Sequence, residues 1–149
     1  MDPSRIASAF LKSHSLFGGI PEEAVERIKL FFECTEYAAD AVIIAEGTPN
    51  PRVHFILSGR VEVSKKGLVL AAYGPGDTFG EMEFLDIMPS AATVRALEQV
   101  TTASFTGMAL HAIYKSEPDS YSLLVMNLAR DLSRRLRALQ AQLESSRGA

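Results

Sequence analysis

The sequence predicts one mainly β domain with helices at both ends. Between residues 36 and 106 the chain is a series of short apolar or alternating runs, cut by glycine and proline turns. Helical periodicity flanks that stretch on both sides. The 149 residues suffice for one core, and no repeat, low-complexity segment or interdomain linker divides them. Several short strands at such spacing point to an all-β sandwich or barrel.

The elements follow in order. Residues 1–15 read as a leader with a turn or two of helix, with Ile6, Ala9, Phe10 and Ser13 near helical spacing. In FGGIPEEAVERIKLFF, Gly18 and Gly19 form a break and Pro21 suits a first helical position. Glu22 and Glu23 favour the first turn, and Ala24, Ile28, Phe31 and Phe32 supply an apolar face. From residue 36 the period changes. AVIIAEG, VHFILSGRVEVS, LVLAAYGPGDTFG and AATVRALEQVTTASFT read as strands. Val61 and Val63 share one face, while Arg60 and Glu62 take the other. KKG at 65–67 reads as a hairpin turn. After Thr106, MALHAIY gives a turn or two of helix, and Pro118 opens a long helix over 119–145.

That helix carries Val125, Ala129, Leu132, Leu136, Leu139 and Leu143 at 4-3-4-3-4 spacing, the heptad seam of a coiled coil. A homodimer through this seam is the expectation; a helix folded wholly onto its own domain is the alternative. Leu123, Leu124 and Leu128 lie off the seam and suit packing on the β-core. Arg130, Arg134, Arg135 and Arg137 form a basic cluster that reads first as a solvated face.

Composition excludes several functions. Apolar residues make up 47% and charged residues 22%, which is ordinary for a globular protein, and the formal net charge of −3 argues against general nucleic-acid binding. No apolar run reaches the roughly 18 residues of a membrane span, and the N-terminus does not read as a signal peptide. A cytoplasmic location is expected by elimination. The single cysteine, Cys34, is expected to be a buried, inert thiol. His14, His54 and His111 lack ligand spacing, so no metal site is expected. No serine, histidine and acid form a nucleophile pattern, and no enzyme is expected.

HSLFGGIPEEAVERI, EGTPNPRVHFILSGRVEV, YGPGDTFGEMEFL, PSAATVRAL and EPDSYSLLVMNLARDLSRRL stand in this order over residues 11–136. In this order and spacing the sequence resembles the cyclic nucleotide-binding domain, as found in catabolite-activator-type regulators, kinase regulatory subunits and gated channels. The resemblance implies an antiparallel β-roll, a jelly-roll-like double-stranded β-helix, with flanking helices. It divides the single domain 1–149 into N-terminal helices (1–35), a β-roll (36–106) with a ligand cassette at 79–94, and C-terminal helices (107–149). It implies cAMP or cGMP as candidate ligand and a site at Phe79, Gly80, Glu81, Met82, Glu83, Ser90, Ala91, Ala92 and Thr93. Glu81 would accept a hydrogen bond from the ribose hydroxyl, and Arg135 is the candidate contributor from the long helix. Gly80 would let the backbone approach the ligand, and free N–H groups of the helical turn at 81–85 would offer an anion site.

The pattern breaks at two positions. The family's G-E-x-A-L is GEMEF here, and its P-R-x-A-T-V is PSAATV. Ser90 stands where the phosphate-binding arginine belongs, and Glu83 stands where alanine is usual. Losing one partner of a buried charge pair costs roughly 2–5 kcal/mol, and a second negative charge beside the phosphate acts in the same direction. Arg95, Arg60 and Arg52 are the candidates to compensate, although strand alternation turns Arg95 outward. Glu83 could itself occupy the anion site, folded onto the helix N-terminus. The expected function is therefore a stand-alone regulatory domain with weakened cAMP or cGMP binding, signalling through a homodimer and a separate effector protein. A different, less anionic ligand and a genuine cAMP or cGMP sensor are the alternatives. No helix-turn-helix segment follows the long helix, so direct DNA binding is not expected.

Overall fold

In the computed structural model, which describes residues 1–147, two four-stranded antiparallel sheets face each other and helices cover one of them. Short helices α1 (Ser8–Lys12) and α2 (Glu22–Ile28) lead in, joined by single 3-10 turns. The strands are β1 (Glu33–Tyr37), β2 (Val42–Ile44), β3 (Arg52–Ser58), β4 (Val61–Lys65), β5 (Leu68–Tyr73), β6 (Thr78–Phe79), β7 (Thr93–Ala96) and β8 (Val100–Thr106). A six-residue helix, α3 (Glu81–Asp86), interrupts them after β6. Helices α4 (Gly107–Ser116) and α5 (Pro118–Arg147) follow. The first sheet has the order β1-β8-β3-β6 and the second β2-β7-β4-β5, the jelly-roll arrangement the resemblance implies. β1 begins at Glu33, inside the stretch assigned from sequence to the N-terminal helices.

Period-2 alternation divides the core. Val53 and Phe55 of β3 face the helices, with Leu11, Phe17, Val25, Ile28, Phe105, Ile113, Leu124 and Leu128. Ile56 faces the opposite sheet, with Ile44, Val61, Phe79, Val94, Ala96 and Val100. Leu124 and Leu128 thus anchor α5, and Asn127 between them donates to the carbonyls of Leu16 and Gly18, each at 2.9 Å. Thr106 caps α4 by accepting from the Ala109 N–H at 3.2 Å.

Turn chemistry sets the strand pairing. Lys66 and Gly67 both have positive φ (50° and 80°), which closes β4 and β5 as a tight hairpin. A Cβ at Gly76 would lie 2.3 Å from the His14 ring, so this position requires glycine. Cys34 is half-buried on β1 rather than fully enclosed, and burial pushes its thiol up, which lowers its thiolate fraction. Among the described residues no helix is long and apolar enough to cross a membrane, and no cluster of three metal-ligating side chains occurs.

Candidate functional site

β6, Gly80, α3 and the loop into β7 wrap a cleft of about 110 Å³ against β4, β5 and α5. Phe79, Gly80, Glu81, Met82, Glu83, Ser90, Ala91 and Ala92 line it, and Arg135 enters from α5. Thr93 does not; its hydroxyl accepts from the Glu46 N–H at 3.1 Å, outside the cleft. Gly80 starts α3 at φ 82°, and a Cβ there would meet Asn50 Nδ2 at 2.5 Å and the Arg52 carbonyl at 2.9 Å. The close approach that glycine permits is therefore to the chain's own β3 entry, where a ligand was expected.

Glu81 and Arg135 form the one ion pair across the cleft among the described residues. The Arg135 guanidinium also donates to the Thr78 carbonyl at 2.6 Å and lies over the Tyr73 ring, 4.5 Å from its centroid. α5 is thus tied to β5, β6 and the first residue of α3 through one side chain. Glu81 is 4% exposed, and its Oε2 has no hydrogen-bond partner. Burial holds this carboxyl above its usual range, against the pull of Arg135 and of its own backbone N–H.

Among the described residues, no basic side chain lines the other end of the cassette. Ser90 is buried, and its hydroxyl donates to the Ala92 carbonyl at 2.7 Å and lies 3.3 Å from Glu83 Oε1. Asn50 Nδ2 reaches the same oxygen at 3.4 Å, and also the carbonyls of Arg52 (2.9 Å) and Gly80 (3.1 Å). Glu83 is therefore not folded onto the N–H groups of α3, as one expectation had it; its carboxylate turns toward Ser90 and Asn50. None of the candidate substitutes fills the gap. Arg95 faces outward to Asp40 and Glu62, with Val94 and Ala96 facing in as alternation requires. Arg52 pairs with Glu33 and donates to Ser104. Arg60 is exposed at the β3–β4 turn, with its stem against Gly74, and is absent from the cleft lining.

Sequence reasoning passed over Asn50, Tyr73 and Thr78. Asn50 lies between two prolines and reads as ordinary turn chemistry. Tyr73 ends a strand, and its ring's role depends on α5, which arrives from 62 residues further along the chain. A second, larger groove of about 470 Å³ lies on the outer side of α3, among Pro49, Pro51, Phe84, Ile87, Met88 and Pro89. Asn50 and Glu83 border both it and the cleft or its frame.

Comparison with known proteins agrees with this geometry. Residues 34–117 match the family described as cyclic nucleotide-binding domain, more than half of the chain. The Pycsar effector protein XpPycTIR of Xanthomonas perforans is 32% identical over 140 residues, covering 93% of this chain and 46% of the relative. A CRP-like cAMP-activated global transcriptional regulator of Mycobacterium tuberculosis is 26% identical over 124 residues, 80% of this chain and 55% of the relative. The chain thus spans about half the length of the relatives it matches. The Thermus thermophilus catabolite activator protein superposes with a TM-score of 0.76 at 29% identity, covering 87% of this chain and 62% of that one. A cyclic nucleotide-binding domain from Methylobacillus flagellatus KT superposes with a TM-score of 0.83 at 24% identity, covering 94% of this chain and 82% of that one, which speaks for the fold. The chain belongs to the cyclic nucleotide-binding domain family.

Proposed function

We propose that the chain is a non-enzymatic regulatory domain in which cAMP and cGMP binding is weakened, and which signals through contacts with other chains. One observation carries this reading. The buried position that would face a cyclic phosphate is Ser90, already bonded to the Ala92 carbonyl, and among the described residues no arginine replaces it. A neutral hydroxyl cannot compensate a buried phosphate, and losing such a pair costs roughly 2–5 kcal/mol. A micromolar site then moves toward millimolar, since about 1.4 kcal/mol is a factor of ten.

The output follows from the Arg135 contacts. A ligand hydroxyl that donates to the unpartnered Glu81 Oε2 draws charge from the carboxylate and weakens its hold on Arg135 through Oε1, and release of Arg135 frees α5 from Tyr73 and Thr78. The position of α5 is then read by a second copy, or by a separate effector protein. On α5, Leu136, Leu139 and Leu143 are 57%, 57% and 65% exposed, continuing the heptad stripe beyond the body of the domain. That exposure supports a homodimer through the stripe. The net charge of −3 favours a protein effector over DNA. Relatives named as a transcriptional regulator and as regulatory subunits of a cAMP-dependent kinase fit a regulatory role.

A second reading, a genuine cAMP or cGMP sensor, is favoured by the retained Gly80, Glu81 and Arg135 around an open cleft. Calorimetry separates the two. Ser90→Arg, alone and with Glu83→Ala, is expected to raise affinity for cAMP or cGMP tenfold or more. No change would mean that the cleft is closed to nucleotides for another reason. Tight binding by the unaltered chain would establish the second reading.

A further inference from the structure

The cleft holds two carboxylates, Glu81 and Glu83, and one guanidinium, Arg135. Arg135 is committed to Glu81 and the Thr78 carbonyl. Glu83 receives only neutral, long contacts, from Ser90 at 3.3 Å and Asn50 at 3.4 Å. Among the described residues no basic side chain pairs with it. One negative charge in the cleft is therefore uncompensated. A second acceptor is also unmatched: Glu81 Oε2 is buried and without a partner. Two open acceptors and no free cation are the reverse of what a phosphate needs, and a like charge brought beside Glu83 is rejected. They suit a ligand that brings donors.

We propose that this cleft takes a nucleoside-like ligand bearing a positively charged nitrogen where a cyclic nucleotide carries phosphate. A ribose-type hydroxyl donates to Glu81 Oε2, and the nitrogen meets Glu83. Ser90 and Asn50 both contact Glu83 Oε1, and the nitrogen takes the carboxylate's other oxygen. The cavity, about 110 Å³, falls below the ~300 Å³ lower end of ordinary ligand sites, which suits a sugar-sized group inside and the base in the mouth. This inference rests on the reading of the cleft as a ligand site, and it goes beyond weakened phosphate binding by assigning the sign of the charge that replaces it.

The test is calorimetric titration of the full chain with three compounds for each of the four common bases: the 5′-amino-5′-deoxynucleoside, the nucleoside and the 3′,5′-cyclic nucleotide. For at least one base the amine is expected to bind roughly tenfold tighter than the nucleoside, with the cyclic nucleotide weakest. Glu83→Gln is nearly isosteric and keeps both neutral contacts; its melting temperature verifies the fold. It is expected to remove the advantage of the amine and to improve the cyclic nucleotide. An amine advantage that survives Glu83→Gln overturns the proposal. So does failure of every amine and nucleoside to bind, which leaves the weakened-phosphate reading standing. A cyclic nucleotide that binds tightest overturns both.

Discussion

His54 stands on β3 with its ring stacked on Phe79, centroids 4.7 Å apart, and its Nδ1 3.4 Å from the Thr102 hydroxyl. Burial, with Arg52 adding to it, lowers its pKa from 6.5 to about 4. Between those two values the unfolded chain holds a proton that the native chain does not, so stability falls as pH falls through this window. The full loss is about 3 kcal/mol, 2.5 pKa units at about 1.36 kcal/mol each. Urea titrations at pH 7 and pH 4.5 are expected to show most of it, and His54→Phe to flatten the difference. Arg135→Leu leaves Glu81 buried without its cation, which costs roughly 3 kcal/mol, the low end for a buried pair because the arginine side chain is 29% exposed. Adding Glu81→Gln is expected to recover much of that loss in a thermal melt; a second loss of similar size would show that the pair is not coupled. Neither effect is visible in sequence, because both depend on what lies across the roll.

Ile87 shows what sequence leaves unsaid about an element. It ends α3 at φ 58° with its side chain 88% exposed. A β-branched residue in the left-handed region is strained by roughly 1–3 kcal/mol, and no core contact offsets it. Ile87→Gly is expected to raise stability by about 1 kcal/mol in chemical denaturation. A loss would show that the isoleucine makes a contact worth more than the strain. Elements with strong local signals were legible: the Lys66–Gly67 turn follows from turn chemistry and the span of α5 from helical spacing, while the short helix after Gly80 followed from the family resemblance. β1 was not, because its sequence ECTEY alternates weakly and directly follows an apolar helical run. Leu136→Glu with Leu139→Glu changes no buried contact of the described chain, so it is expected to yield a folded monomer in sedimentation where the unaltered chain sediments as a dimer. Equal sedimentation of the two would remove the dimer from the account.

At the scale of the molecule, the roll brings together residues from β5, β6, α3, the β7 loop and α5 that no local pattern connects. The order of glycines and strands sufficed for the family, and the cassette residues that line the cleft, Thr93 excepted, lie in one continuous stretch. The helical cover was only partly legible: Arg135 was one of four arginines, and its selection over Arg130, Arg134 and Arg137 depends on the angle of α5 across β5 and β6. The Asn50 contact to Gly80 and Glu83 depends likewise on how the β2–β3 loop crosses α3. On the proposed reading, this cyclic nucleotide frame lacks its phosphate clamp. Calorimetry of the unaltered chain with cAMP and with cGMP tests it most directly. Dissociation constants near or above roughly 30 μM are expected, the result of removing about 2–5 kcal/mol from a micromolar site. Submicromolar binding of either nucleotide would contradict it.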